Sequence, residues 1–239
     1  MNIKNTVAFV TGSNRGIGKS LVEALIHAGA KKIYASARDI STISIAHEKT
    51  EIVPLACDIS DRDQLNELTR DASDVTLLIN NAGVLSAGNI LEISPEKIEH
   101  DFETNFFGTL FLSRVMAPVI EKNGGGSIVN ILTLLSFASM PELAAYNASK
   151  AAAWSMTMSL RASLADSNVS VHSVFPGPVD TDMLDGVEIE KTPASAVAEA
   201  IVKGIEDNEE DIFPDPMSKQ VYSNWREDHK GVEKMFAQM

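Results

Sequence analysis

Tyr146 and Lys150 stand four residues apart in Tyr146-Asn147-Ala148-Ser149-Lys150. That is one turn of a helix, so both side chains project from the same face. A phenol with a pKa of about 10 is a poor acid–base group at neutral pH, and an adjacent ammonium favours its phenolate. The pair therefore suits the movement of a proton to or from an oxygen, although a Tyr-x3-Lys pair taken alone is common on helix surfaces. A second group of residues, Thr11-Gly12-Ser13-Asn14-Arg15-Gly16-Ile17-Gly18, follows a short apolar run and opens a helical pattern. In such a turn Gly12 permits the tight bend, Gly16 lets the backbone approach a pyrophosphate, and Gly18 allows the helix to pack closely on the strand. The helix N-terminus then offers free N–H groups and a partial positive charge to phosphate. Three residues separate the first two glycines, not the single residue of the usual fingerprint. A plain tight turn can carry the same glycines; the strand before and the helix after favour a dinucleotide.

The end of the next strand distinguishes the two nicotinamide dinucleotides. An acid about twenty residues past the turn holds ribose hydroxyls, whereas an arginine there favours a 2′-phosphate. Here the strand ends Ala35-Ser36-Ala37-Arg38, with Ala37 nineteen residues past Gly18 in the acid's place. Arg15 inside the turn is a second phosphate partner, and charge-assisted Arg–phosphate bonds are strong. Asp39 is positioned to neutralise Arg38. The balance favours NADPH/NADP+ over NADH.

These residues must be carried by alternating strands and helices. Short, nearly continuous apolar runs at Thr6–Val10, Ile33–Ala37, Ile52–Ala56, Val75–Asn80, Ser127–Leu132 and Val169–Phe175 read as strands covered on both faces. Helical stretches fall at Gly16–Ala28, Asp61–Ala72, Pro95–Glu121, Leu143–Ala165 and Pro193–Asn208. A weak last strand at Asp211–Phe213 precedes a polar, helical tail. Strict alternation predicts a parallel sheet of about seven strands with right-handed crossovers and helices on both faces, a doubly wound Rossmann-type α/β fold. With no repeat and no linker rich in Pro, Gly or Ser, residues 1–239 read as one domain. Asn123-Gly124-Gly125-Gly126 is a helix stop, and Glu206–Asp211 is a solvated turn.

Composition narrows the function classes. The chain has 239 residues, 44% hydrophobic and 22% charged, which is ordinary globular composition. One cysteine, Cys57, excludes a disulfide framework and a Cys-based zinc site. The five histidines show no ligand spacing, so no metal is expected. A net charge of −13 argues against nucleic acid and anionic membranes. No apolar run reaches the roughly 20 residues of a bilayer span. The N-terminus lacks a signal-peptide pattern, and the expected location is the cytoplasm. There is no G-x-S-x-G elbow for a serine hydrolase.

Taken in order, Thr11-Gly12-x3-Gly16-Ile17-Gly18, Asn80-Asn81-Ala82-Gly83, Asn105, Tyr146-x3-Lys150 and Pro176-Gly177 resemble the short-chain dehydrogenase/reductase family, from Val7 to about Phe213. The resemblance implies that Tyr146 protonates a carbonyl oxygen during reduction and that Lys150 lowers its pKa and binds the nicotinamide ribose. It implies that Asn105 holds a water linking Lys150 to solvent. It further implies cofactor contacts from the turn residues Gly12, Ser13, Asn14, Arg15, Gly16, Ile17 and Gly18, and from Arg38. Asp58 would bind the adenine, and Asn81, Ala82 and Gly83 would line the cofactor. Pro176, Gly177, Val179 and Thr181 would meet its nicotinamide end. One position departs from the family pattern: thirteen residues before the tyrosine, where a serine is usual, stands Thr133. Its hydroxyl can still polarise a carbonyl, with a stiffer rotamer and an added methyl. Ser136 is the nearby substitute.

The residues around Thr133 are apolar: core packing takes Leu132 and one of Leu134 and Leu135, and the other, with Phe137, Met140, Leu85, Met183 and Leu184, is expected to form a pocket for an aryl or alkyl carbonyl substrate. The short stretch between Thr181 and Thr192 predicts an open, permissive pocket. By the same resemblance, the helices bearing Phe102–Val115 and Ala151–Leu160 pair subunits in a homodimer or homotetramer. The combined expectation is an NADPH-dependent reductase of ketones or aldehydes, reversible as an alcohol dehydrogenase. Its rival is an NADPH-binding sensor or scaffold with little catalysis.

Overall fold

In the computed structural model, which describes residues 1–239, the apolar runs lie side by side as parallel strands. These are β1 (Val7–Thr11), β2 (Lys32–Ala37), β3 (Glu51–Ala56), β4 (Leu77–Asn80), β5 (Gly126–Ile131) and β6 (Val169–Val174). A small separate pair, β7 (Val179–Asp180) with β8 (Thr192–Pro193), follows β6, and β9 (Asp211–Ile212) completes the main sheet. The order across the seven-stranded sheet is β3-β2-β1-β4-β5-β6-β9. All neighbours are parallel, as the doubly wound reading expects.

Central strands β1 and β4 are buried throughout, because helices cover both faces. The edge strand β3 is largely exposed and accommodates Pro54, whose missing N–H suits an edge. Alternation along β1 sends Ala8 and Val10 to one core and Val7 and Phe9 to the other. The first core is closed by α1 (Gly16–His27) through Leu21 and Leu25, and by α6 (Ala194–Glu206) through Val197, Ile201 and Ile205. The second is closed by α2 (Arg62–Asp71) through Leu65 and Leu68, and by α4 (Thr109–Lys122) through Leu112, Met116 and Ile120.

The expected continuous helix over Pro95–Glu121 is divided. It comprises α3 (Pro95–Phe102), a π-helical turn at Glu103–Gly108, and α4. The widened turn has two tertiary causes. Asn105 is buried at 1% exposure and bonds both backbone groups of Val84. A Cβ on Gly108 would stand 2.8 Å from the Ile59 carbonyl oxygen, an approach only glycine allows. Wide turns of this kind inside helices frequently mark functional sites.

Helix α5 (Ala144–Ser163) follows β5, and the chain ends in α7 (Pro216–Glu227) and α8 (His229–Phe236). These last two helices correct the expectation of a merely polar tail: Val221, Val232 and Phe236 are buried against Leu134 and Ala138. Asp215 caps α7 by accepting from the Ser218 N–H at 2.8 Å and also accepts from the Gly177 N–H at 2.8 Å. The C-terminal helices are thereby fastened to the loop after β6. No helix is long and apolar enough to cross a membrane.

The sheet sets the position of the site. From β1 the chain adds strands outward in one direction, and from β4 in the other, so the crevice at their carboxyl ends is a topological switch point.

Candidate active site

A cavity of about 1130 Å³ opens at that crevice and runs from the glycine-rich turn to an apolar chamber under the C-terminal helices. This is the scale of a site for a large ligand. Gly12 and Gly16 take φ values of +64° and +53°, in the left-handed region that disfavours side chains. Gly18 is required by close approach, since a Cβ there would fall 2.0 Å from the Gly12 carbonyl oxygen. The helix α1 begins at Gly16, so its first N–H groups have no partner within the helix and face the cavity. Asn14, Arg15, Gly16, Ile17, Arg38, Asp58, Ala82 and Gly83 also line it.

Several predicted contacts have a different geometry. Ser13 is fully buried and absent from the cavity wall. Its hydroxyl donates to the Val10 carbonyl at 2.6 Å and its N–H to the Ser36 carbonyl at 2.9 Å, so it braces the turn and has nothing left for a ligand. Asn81 reaches the cavity, but its side-chain amide donates to the carbonyls of Thr11 (2.8 Å) and Gly12 (3.2 Å), clamping β4 to the glycine turn. Asp39 does not neutralise Arg38; its carboxylate accepts from the Ser41 N–H at 2.9 Å and the Ser41 hydroxyl at 2.7 Å. Arg15 pairs with Asp182 at 3.1 Å, both largely exposed, a contact too weak to withhold the guanidinium from a phosphate. A positively polarised helix end with two arginines beside it fits a phosphorylated dinucleotide.

At the far end of the crevice α5 presents Tyr146 and Lys150, and the loop leaving β5 presents Thr133, all three on the cavity wall. The Thr133 hydroxyl donates to the Pro176 carbonyl at 3.4 Å and accepts from the Leu135 N–H at 3.3 Å, beside Tyr146 on the same wall. Lys150 donates to the Ile131 carbonyl at 2.8 Å, and its Nζ lies 6.0 Å from the Tyr146 ring centre. Asn105 stands behind the wall and not on it. Its side-chain amide donates to Val84 O and to Ser149 Oγ, each at 2.9 Å, and Ser149 donates to the Tyr146 carbonyl at 2.8 Å. Ser136 is buried away from the cavity with its hydroxyl unpartnered, which leaves Thr133 as the hydroxyl on the wall beside the tyrosine.

The electrostatics correct one expectation. In place of the depression expected from the lysine, burial pushes the Tyr146 phenol up to about 12, with the nearby Thr133 hydroxyl pulling the other way. Burial likewise pushes the Lys150 ammonium down to about 8, opposed by the charge of Asp101. A buried phenol with no ion pair holds its proton, because the phenolate would be a poorly solvated charge.

The family is decided by comparison with known proteins. The model of the family described as short chain dehydrogenase matches residues 6–192. The chain belongs to the short chain dehydrogenase family. Its members are oxidoreductases, and the match spans the glycine turn, Asn105, Thr133, Tyr146 and Lys150. Carbonyl reductase [NADPH] 2 of Sus scrofa is 32% identical over 184 residues, 77% of this chain and 75% of that protein. The crystal structure of a short chain dehydrogenase from Burkholderia cenocepacia in complex with NADP is 36% identical. It covers 99% of both chains with a TM-score of 0.94. A family structure from Burkholderia phymatum in complex with NAD is 25% identical, with a TM-score of 0.84 and 96% coverage of each chain.

Beyond Thr133 the cavity of this short chain dehydrogenase is apolar. Leu85, Met140, Met183 and Leu184 line it as the sequence suggests, and Leu132, Leu134 and Leu135 all reach it, including the two leucines expected to serve only the core. Phe137 does not; it turns into an aromatic cluster, 5.7 Å from Phe175 and 5.5 Å from Trp225 between ring centres. Trp154 belongs to the same cluster, 5.6 Å from Phe175. The expected open pocket is instead walled by Met217, Val221, Met235, Phe236 and Met239 of the C-terminal helices. This wall lies beyond residue 192, outside the part matched by the family model. Its sequence signal is the helical spacing of Met217, Val221 and Trp225, followed by Val232, Met235, Phe236 and Met239.

Proposed function

We propose that the protein is an NADPH-dependent carbonyl reductase acting on apolar ketones or aldehydes, and reversibly an alcohol dehydrogenase. The observation that carries this reading is the Thr133–Tyr146–Lys150 group, set between a dinucleotide-sized crevice and an apolar chamber in one continuous cavity. The nicotinamide, when bound, supplies the hydride. Tyr146 donates its phenolic proton to the carbonyl oxygen as that oxygen becomes an alkoxide, which is more basic than a phenolate, so transfer runs downhill. Thr133 donates a hydrogen bond to the same oxygen and fixes the carbonyl against the tyrosine. Lys150 holds the ribose hydroxyls. Asn105 fixes α5 and Val84, which places the lysine.

Gly12, Gly16, Ile17, Gly18 and Asn14 cradle the pyrophosphate, Arg15 and Arg38 meet the 2′-phosphate, and Asp58 meets the adenine. Ala82, Gly83, Pro176, Gly177, Val179 and Thr181 border the nicotinamide half. The NADP and NADPH in the names of the Burkholderia cenocepacia structure and the porcine reductase support this cofactor preference. The methionine and leucine chamber supports a substrate with a bulky aryl or alkyl body. Half-buried Phe107 on the π-turn, Phe111 on α4 and Trp154 on α5 support self-association as a homodimer or homotetramer.

Cofactor consumption over a panel of aryl ketones, aldehydes, keto esters and quinones tests the proposal, with NADPH and NADH in parallel. Turnover with NADPH on apolar carbonyls is the expected result. Preference for small charged keto acids would refute the substrate class, and preference for NADH would refute the arginine argument. Tight NADPH binding without turnover on any compound would favour a sensor.

A further inference from the structure

Asp215 is a fully buried acid that the proposed reaction leaves unused. Its two carboxyl oxygens serve different parts of the chain. Oδ1 accepts from the Ser218 N–H at 2.8 Å and so caps the first turn of α7. Oδ2 accepts from the Gly177 N–H at 2.8 Å, 38 residues earlier in the loop after β6. That N–H and the Pro176 carbonyl are opposite edges of one planar amide, so the acid fixes the direction of the carbonyl. The carbonyl accepts from the Leu134 N–H at 3.0 Å and from the Thr133 hydroxyl at 3.4 Å. A single peptide group thus joins the acid on one edge to the turn carrying Thr133 on the other. Pro176, Gly177, Thr133 and Leu134 are on the cavity wall, and Asp215 stands behind it.

Packing leaves this joint little slack. A Cβ on Gly177 would stand 2.8 Å from Asp215 Oδ1, 3.3 Å from Leu134 Cδ2 and 3.4 Å from Met217 Cβ. The missing side chain of Gly177 is the space through which the acid reaches the amide. The 3.4 Å contact is long for O–H···O. The Thr133 hydroxyl can therefore exchange it for an incoming carbonyl oxygen, while the Leu134 N–H keeps the turn in place. A cap for α7 alone needs only one short acceptor, such as a serine or threonine hydroxyl. The second oxygen of Asp215 is engaged by Gly177.

We propose that Asp215 is a positioning residue of this site, which sets the place of the Thr133 hydroxyl through the Pro176–Gly177 amide. The start of α7, beyond the residues matched by the family model, is then part of what orients the carbonyl. The inference rests on the reading of Thr133 as the hydroxyl that meets the carbonyl oxygen.

The test is a double-mutant cycle on the reduction of one aryl ketone by NADPH. Asp215→Ser keeps a capping oxygen but is too short to serve both N–H groups, and Asp215→Thr is a second such variant if the first does not fold. Each is expected to lower kcat about 10- to 100-fold, the scale of a misplaced reacting group, with the Kd for NADPH within about twofold of the parent. In a Thr133→Ala background the same change is expected to cost less than about twofold, because the hydroxyl it positions is gone. Ser218→Ala removes the side-chain contacts of Ser218 with the Asp215 backbone and leaves the Gly177 bond, so it is expected to keep the parental kcat. Parental kcat in both Asp215 variants, losses that multiply in the double variant, or an equal loss in Ser218→Ala each overturn the inference. Full activity in Thr133→Ala would instead remove the reading on which it rests.

Discussion

Thr133 lies on the cavity wall with Tyr146 and the apolar chamber, its hydroxyl held by the Pro176 carbonyl and the Leu135 N–H. Thr133→Ala is expected to lower kcat/KM by about 10²–10³ with NADPH affinity unchanged, as for removal of an oxyanion donor. Thr133→Ser, which keeps the hydroxyl, is expected to stay within a few-fold of the parent; steady-state kinetics on one ketone checks both. Lys150 carries a stability consequence as well. Its ammonium titrates at about 8 in the folded cofactor-free protein against an ordinary 10.5, so between those values the unfolded chain binds a proton that the folded one lacks. Stability from this group therefore rises with pH across that window, and the burden of burying the charge is fully present below it. That difference corresponds to about 3 kcal/mol. Urea unfolding of Lys150→Met should show its stability relative to the parent becoming less favourable by about that amount from pH about 7 to pH about 10.5. Tyr146, raised to about 12, contributes only above its ordinary 10 and, being present in both proteins, cancels from the comparison.

At the scale of elements, the strands were readable because a sheet covered on both faces needs unbroken apolar runs, and Val7–Val10 or Leu77–Ile79 have no other use. The glycine turn and the Tyr146–Lys150 helix were readable for the same local reason: their spacing is their mechanism. The π-turn was not. Apolar periodicity continues through Phe102, Phe106 and Phe111, and the slip is imposed by Val84 and Ile59, residues distant in the chain. Nor was the role of Ser13 or the Tyr146 pKa, since both depend on which partners lie close and how much water is excluded. The C-terminal wall was obscured by its composition: α7 and α8 are polar except for a stripe whose target, Leu134 and Ala138, is visible only in the fold. Exposed Met217 and Met235 on that wall give a prediction free of stability effects. Changing either to Glu should raise KM for a bulky aryl ketone about tenfold, leaving KM for a small ketone and the Kd for NADPH unchanged. Equal effects on both ketones would place the wall outside the substrate's path.

The whole molecule carries a charge of −13, yet its proposed cofactor is a polyanion. Binding must therefore come from local features at the switch point, the N-terminus of α1 with Arg15 and Arg38, working against the overall field. Arg38→Ala should raise KM for NADPH about 10- to 100-fold and leave NADH nearly unaffected. That pair of KM values separates a 2′-phosphate contact from a general loss of the crevice. The sheet order that creates the crevice was foreseeable only as a class, because alternating strands and helices fix parallel pairing but not which strands become neighbours. The central claim is that Tyr146 hands its proton to a carbonyl oxygen in a site that NADPH enters from the glycine turn. The direct test is the rate of NADPH consumption with a saturating aryl ketone in the parent and in Tyr146→Phe, with NADPH binding measured in both. The account predicts undiminished NADPH binding and a rate lost by about 10³-fold or more in the variant. A variant that binds NADPH and reduces the ketone at the parental rate would contradict it.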